Sequence, residues 1–349
     1  MRLEPIADVS LARTLGFPAL AIIGTLCFTA VLVMIAGAEP FAVFGQVLKG
    51  AAGSQFALLE TLTRATPLIF TGLAVAVAFR ARLWNIGAEA QFYAGAVITA
   101  IFGTGALSLP APVLVPLLMA SAMLAGALLL LGPAILKIRF GVDEVVTTLL
   151  LNFIVLLFVS YLLEGPLKDP MGMGWPQSPR LIAEAQLPRL IQGKRLHLGF
   201  VLAIVSAIVI WFIMAKTTLG YRMRAVGHNA QAARFAGIPV GRVLAMTALL
   251  SGGLAALGGF SEVAGLKGNL TLDLSSGYGL SGVVVAMLAL LHPLGVVVAA
   301  IFVAGIFVGA DAMSRTAGVP SYIADVMVAT SLLTMVAAIM LTRRRIRWR

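Results

Sequence analysis

Apolar residues in this chain come in blocks of about 18 to 25, broken at Gly, Pro and charge clusters, rather than at alternate positions. A helix rising 1.5 Å per residue needs about 20 apolar residues to cross a hydrocarbon core of about 30 Å. The blocks predict ten spans, at 16–37, 62–81, 86–107, 112–136, 144–163, 198–215, 244–262, 279–291, 294–311 and 322–342. Stretches such as 117–131 lack the period-two alternation of a transmembrane strand, so an all-α membrane protein is expected. The second, third and eighth spans are interrupted or short: Arg80, Arg82 and Glu89 fall within 62–107, and the stretch after Ser281 ends early. Such breaks predict discontinuous helices, because irregular backbone survives at membrane depth only inside protein or beside water.

Composition supports this picture. The chain is 60% hydrophobic and 11% charged, with a mean hydropathy of +1.02, against roughly 25% charged residues in soluble domains. A water-soluble fold is excluded. The net charge of +11 sits mainly at the ends of apolar blocks, which fits membrane orientation and not nucleic-acid binding. Residues 216–242 carry Lys216, Arg222, Arg224, Arg234 and Arg242 with no acid, and the C-terminus carries Arg343, Arg344, Arg345, Arg347 and Arg349. Both segments are expected in the cytoplasm. Four spans separate them, and counting back places the N-terminus inside as well. Residues 165–197 then fall outside despite Lys168, Arg180, Arg189, Lys194 and Arg195 against Asp169 and Glu184, so the charge rule is not clean there. Their Pro and Gly content reads as an irregular external loop. The first 38 residues have the outline of a signal peptide, but the apolar run 15–35 exceeds the usual 7 to 15 residues, so a retained span is expected. Cys27 is the sole cysteine, which excludes an internal disulfide or a cysteine-based metal cluster.

Spans two to five and seven to ten are equal in number and opposite in direction, as an inverted repeat requires. The chain lacks the phosphate-cradling G-x-x-x-x-G-K-[ST] loop and a zinc-type His-Glu-x-x-His, and its histidines, His197, His228 and His292, lie in loops or breaks. It is expected to be non-catalytic, with no cofactor and no metal. Asn229 is placed to cap a short helix over 230–236, with Gly237 ending it and Pro239 preventing continuation. Ala232, Ala233 and Ala236 would let a partner approach closely, and Arg224 and Arg234 could supply charge. On composition alone these residues favour a positive-inside loop with an incidental helix. Polar residues inside spans are the other candidates, since they normally face a cavity or a partner. Asn85, Glu89 and Gln91 could line a solute path, and Asn152 could bond a base or sugar hydroxyl with Phe153 nearby for stacking. A hydrogen-bonding hub at a broken helix, or contact between helices, explains the same residues. Asp143 and Glu144 suit helix capping. Glu262 is expected to face outside water, and Gly252, Gly253, Gly258 and Gly259 to pack helices closely.

Three stretches carry a family resemblance. Arg-Ala-Val-Gly-His-Asn-x-x-Ala-Ala-Arg-x-Ala-Gly-Ile, at 224–238, resembles the coupling loop of ABC importer permeases of the branched-chain amino acid, ribose and nucleoside superfamily. Trp84-Asn85-Ile86-Gly87-Ala88-Glu89-Ala90-Gln91 is similar to the Asn-Ile-Gly-x-Glu-Gly-Gln signature of its nucleoside and simple-sugar branch, with Ala90 in place of the usual Gly. Glu144, Val145, Thr148 and Asn152 match a Glu-Val-x-x-Thr-x-x-x-Asn stretch of the same branch. The resemblance implies a type II importer permease fold over 1–349, with a coupling loop at about 216–243 and an external loop at about 165–197. Arg224, Ala225, Gly227, Asn229, Ala232, Ala233, Ala236, Gly237 and Ile238 would form the ATPase-coupling loop. It further implies cytoplasmic ATPase subunits, a second permease that is a relative or another copy, and an external substrate-binding lipoprotein in the bacterial inner membrane. The expected solute is a nucleoside or simple sugar. The alternative from another class is a proton-coupled secondary transporter using Glu89 or Glu144 without an ATPase.

Overall fold

The computed structural model describes residues 2–5, 11–35, 37–317, 322, 326–327, 329–330, 333–334, 337–338 and 344–347. The helices are α1 (Leu11–Ile35), α2 (Pro40–Ala52), α3 (Gln55–Arg80), α4 (Ala88–Gly103), α5 (Ala111–Phe140), α6 (Glu144–Glu164), α7 (Gly199–Lys216), α8 (Thr218–His228), α9 (Ala230–Phe235), α10 (Val240–Glu262), α11 (Tyr278–Leu288) and α12 (Pro293–Ala317). Beyond them, Arg2–Pro5 pairs antiparallel with Arg344–Arg347. The expected all-α membrane fold is present.

Each expected span up to 294–311 overlaps a helix, while 322–342 and Asp325 lie outside the continuously described residues. Among the described residues six helices are long and apolar enough to cross a membrane, or seven if α1 and α2, which meet at 113°, form one bent span. The count among the described residues stays below ten. The physical reason lies in α4 and α11: their 16 and 11 residues reach only about 24 and 17 Å at 1.5 Å per residue. Helix α2 was not expected, because Gly45, Lys49 and Gly50 leave it no long apolar run.

The chain divides into two compact units, Leu62–Ile301 and Met1–Thr61 with Phe302–Arg349. In the second, α2 packs on the later part of α12 through small residues. A Cβ at Gly309 would collide with the Val47 carbonyl, and one at Gly50 with Ala312. In the first, the best window of α3 is 89% buried and that of α10 78%, whereas those of α6 and α7 are 28% buried. Helices α3 and α10 are therefore the core, and α5, α6 and α7 turn apolar residues such as Leu157 and Phe212 outward. Gly126 and Gly252 let α5 and α10 touch backbone to backbone, since a Cβ on either would overlap the other's carbonyl.

Each core helix is followed by a half-length helix. Helix α3 leads through 81–87 into α4, and α10 leads through a π-helical turn, Val263–Lys267, and 268–277 into α11. The N-termini of α4 and α11 meet: a Cβ on Gly279 would overlap the Glu89 backbone. This repetition, long helix then half helix with N-termini opposed, is the arrangement an inverted repeat generates. Residues 165–197 have no long element, only a turn at Ala183–Ala185, and are bound to α10's far end by Leu187 N–H to Ala264 O, Leu181 N–H to Gly268 O and Ser178 N–H to Leu270 O. Glu262 differs from expectation. It is buried, because α10 continues past it to Lys267 and the 165–197 segment covers that end.

Candidate functional site: a broken helix and the segment beneath it

A helix that starts inside a membrane has first-turn N–H groups that neither the helix nor water can satisfy. Helices α4 and α11 start against one another in the protein interior, and the polar residues there are arranged around these two starts. Asn152 Oδ1 accepts the Ala90 N–H at 2.9 Å, and its Nδ2 donates to Ile86 O at 3.0 Å. Glu89 Oε2 accepts the Gly279 N–H at 2.6 Å, and the Ser275 hydroxyl accepts the Tyr278 N–H at 2.9 Å. A carboxylate thus lies between two positive helix ends that would otherwise face one another. Thr71 Oγ1 donates to Tyr278 O at 2.9 Å, and Tyr93 O–H donates to Leu272 O at 2.6 Å, fixing the approach to α11.

The break itself is held by a closed amide pair. Asn85 Nδ2 donates to Gln91 Oε1 at 2.8 Å and to Ser251 Oγ at 3.0 Å, while Asn85 Oδ1 accepts from Gln91 Nε2 at 2.9 Å and from Gly87 N–H at 3.0 Å. Ser251 Oγ in turn donates to Ala74 O at 2.7 Å. Asn85 is fully buried, and both its donors and both its lone pairs are used. It has nothing left to offer a solute in this conformation. In this conformation Asn85, Gln91 and Asn152 make the hydrogen bonds that the hub reading describes.

One face of α6 grips the break along its length. Glu144, Thr148 and Asn152 stand at i, i+4 and i+8, so they line a single stripe. Glu144 Oε1 accepts the Trp84 N–H at 3.1 Å, Thr148 Oγ1 accepts the Ile86 N–H at 3.3 Å, and Asn152 follows as described. Glu144 is also ion-paired with Lys137, whose ammonium donates to Arg82 O at 3.0 Å. That clasp spans a residue under strain, since Arg82 has φ +55° without being glycine. Asp143 caps α6 through Val145 N–H at 2.8 Å, as expected. Phe153 is not part of the cluster. At 59% exposed it stands on the outer face of α6, because the position after Asn152 turns about 100° round the helix.

Beneath the break lies 216–243. Asn229 Oδ1 accepts from Gln231 N–H at 3.0 Å and Ala232 N–H at 3.1 Å, and Gly237 has φ +78°, so the expected cap, short helix and left-handed stop are all present, with α9 ending at Phe235. The resembling residues divide into two sets. Arg224 turns back to donate to Met214 O at the end of α7, Ala225 and Ile238 are half-buried, and Gly227 and Ala233 are buried. Asn229, Ala232, Ala236 and Gly237 are exposed, as are Arg234 and Phe235, the latter at 94%. Arg224 is half-buried and ties α8 to the end of α7. Gly227 is the second anchor: a Cβ there would overlap Arg80 O, so only glycine lets α8 touch the end of α3. Sequence reasoning missed α8 as a helix, the Lys137–Glu144 clasp and Phe235. The i, i+4, i+8 spacing of Glu144, Thr148 and Asn152 was the available signal for the stripe.

Comparison with known proteins assigns the family. The family model described as branched-chain amino acid transport system / permease component matches residues 57–343. This chain belongs to that family. The permease is 35% identical to the guanosine ABC transporter permease protein NupP of Bacillus subtilis (strain 168), over 90% of this chain and 91% of that one. It is 34% identical to the glucose ABC transporter permease protein TsgB13 of Haloferax volcanii, over 99% and 93%. With the nucleoside ABC transporter permease protein NupB of Lactococcus lactis subsp. cremoris the identity is 30%, over 91% and 89%. No solved structure matches significantly. The permease is thus the multi-pass, non-catalytic translocation subunit of an ABC importer, in a family that works with ATPase and substrate-binding partners.

Proposed function

We propose that the permease carries a nucleoside or simple sugar across the bacterial cytoplasmic membrane, driven by cytoplasmic ABC ATPases that seat α9. The observation carrying this reading is the position of α8–α9. The pair presents an exposed Ala232, Phe235 and Ala236 surface, while its Gly227 rests on the last carbonyl of α3, immediately before the break at 81–87. A push on α9 would then reach the strained, clasped backbone at Arg82 and, through it, the start of α4. That start is bonded to α11 through Glu89, so both half helices would shift together between two packings.

The names of the relatives, guanosine, nucleoside and glucose permeases, support the solute class. The termini lie side by side through Arg2–Pro5 and Arg344–Arg347, which supports both being cytoplasmic, as the basic residues there suggest. A related second permease and an external binding lipoprotein complete the assembly in this reading, and nucleic acid has no part in it. Membership of the ABC permease family favours an ATP-driven importer over a proton-coupled secondary transporter.

The test replaces Phe235 and Ala232 with glutamate and compares ATPase co-purification with the native chain at equal membrane levels. Loss of the ATPase with an unchanged thermal midpoint is the expected result. Retention of the ATPase by the variant removes α9 from the docking surface, and absence of ATPase from native preparations in several mild detergents sinks the proposal. Uptake of labelled guanosine and glucose by the reconstituted complex then decides the solute.

A further inference from the structure

Residues 165–197 break the charge pattern of the chain: five Lys and Arg stand against Asp169 and Glu184 in a segment assigned to the outside. Basic residues are depleted there when orientation alone sets their distribution, so the excess calls for another cause. The structure gathers part of it at one point. Arg180 and Arg189 meet Lys267 around a cavity of about 150 Å3, whose remaining wall is Gln186, Leu187 and 264–268. The three cations are exposed, and no acidic side chain lines the cavity. Lys267 feels the buried Glu262, but among the described residues no carboxylate pairs with Arg180 or Arg189.

The frame around these charges is rigid. Leu181 and Leu187, flanking the wall, are tied by backbone hydrogen bonds of 2.8 Å to Gly268 and Ala264, and the Gln186 amide donates to Leu181 O at 3.2 Å. Like charges held in a concave surface repel one another and focus a positive potential. At about 150 Å3 the cavity is smaller than the roughly 300–1,000 Å3 of pockets that enclose whole drug-sized ligands. It suits a single anionic side chain, and a guanidinium fork matches a carboxylate in two-point geometry.

We propose that this cavity receives a carboxylate side chain of the external solute receptor, fixing that receptor over the outer end of α10. The proposal rests on the importer reading and on the external assignment of 165–197. Charge complementarity of this kind acts mainly on encounter rate and registry and weakens as salt rises.

Lys267 supplies a test that needs no substitution. The native complex, in right-side-out vesicles, is exposed to a membrane-impermeant amine acylator, alone, with its solute-loaded co-isolated receptor, or with 10 mM phosphate, and Lys267 modification is followed by mass spectrometry. Slowing by the receptor of about five-fold or more, lost at 0.5 M NaCl, with no slowing by phosphate, is expected. Equal slowing by phosphate assigns the cavity to free anions and overturns the proposal, as does unprotected Lys267 beside bound receptor. Absence of Lys267 labelling in right-side-out vesicles, with labelling in inverted ones, overturns the external assignment. ATPase co-purification from the same preparation separates failure of this inference from failure of the importer reading. As a second readout, Arg180→Gln with Arg189→Gln should weaken receptor binding about ten-fold and flatten its salt dependence, and unchanged affinity and slope refute the role.

Discussion

Replacing Asn152 with leucine separates the two roles open to it. Leucine nearly preserves the volume and removes both ends of the amide, leaving Ala90 N–H and Ile86 C=O without the partners they have at 2.9 and 3.0 Å. A stranded buried group costs about 1–3 kcal/mol, whereas hydrogen bonds measured between membrane helices average about 0.6 kcal/mol. At about 1 kcal/mol each the two groups cost about 2 kcal/mol, and at about 2 °C per kcal/mol the unfolding midpoint falls on the order of 4 °C. Phe153→Leu, on the exposed outer face, should stay within about 0.5 kcal/mol. The assay is thermal unfolding of the purified complex in one detergent, with solute uptake measured over a range of concentrations in proteoliposomes. A hub lowers the midpoint and the maximal rate and leaves the half-saturating concentration alone. A native midpoint with a half-saturating concentration raised about ten-fold would refute the reasoning and make Asn152 a solute contact.

Gly227→Ala should sharply reduce the folded permease in membranes, while Gly237→Ala, in open space, should cost only about 1–2 kcal/mol for its left-handed backbone; equal yields of the two would contradict the close contact at Arg80 O. Lys137→Met and Glu144→Gln should each destabilise, and the double variant should cost less than their sum by about 1 kcal/mol or more, a coupling that a double-mutant cycle on thermal stability reads directly. His197 gives a pH signature. Burial pushes its imidazole from 6.5 down to about 4, so the folded state keeps it neutral while the unfolded state binds a proton below 6.5. Stability from this group is complete above about pH 6.5 and is lost as pH falls towards 4, at up to about 1.4 kcal/mol per pH unit. Unfolding midpoints of native and His197→Gln protein between pH 4 and 8 should diverge in that window, and parallel curves would remove the histidine from the account.

Run length and charge placement made the helical class, the positions of the long helices and the α9 cap legible, because each depends on residues close together in the chain. Asn229, Gly237 and Pro239 carry their meaning within ten positions. Glu262 could not be placed that way, and for Arg224 the partner is a backbone carbonyl, which no residue type signals. Whether Glu262 meets water depends on the 165–197 segment lying across α10's end, and whether Arg224 points outward depends on the nearby Met214 carbonyl being free to accept it. Phe153 shows a different limit: it sits beside Asn152 in sequence, and on a helix that adjacency places it on another face.

The stretches that carried the family resemblance are far apart in the chain and work on one short piece of backbone. Glu144, Thr148 and Asn152 bond Trp84, Ile86 and Ala90, Asn85 closes on Gln91, and Gly227 touches Arg80. Polar residues with a common target in a membrane interior have a common cause, since each backbone group exposed by the break would otherwise be stranded. The break therefore imposes the motif. A continuous helix through 81–87 would have required none of these side chains, and it would also have lacked a joint where movement of α8 could be turned into movement of α4. In the coupling we propose, the same residues that satisfy the broken backbone form the joint between α8 and α4.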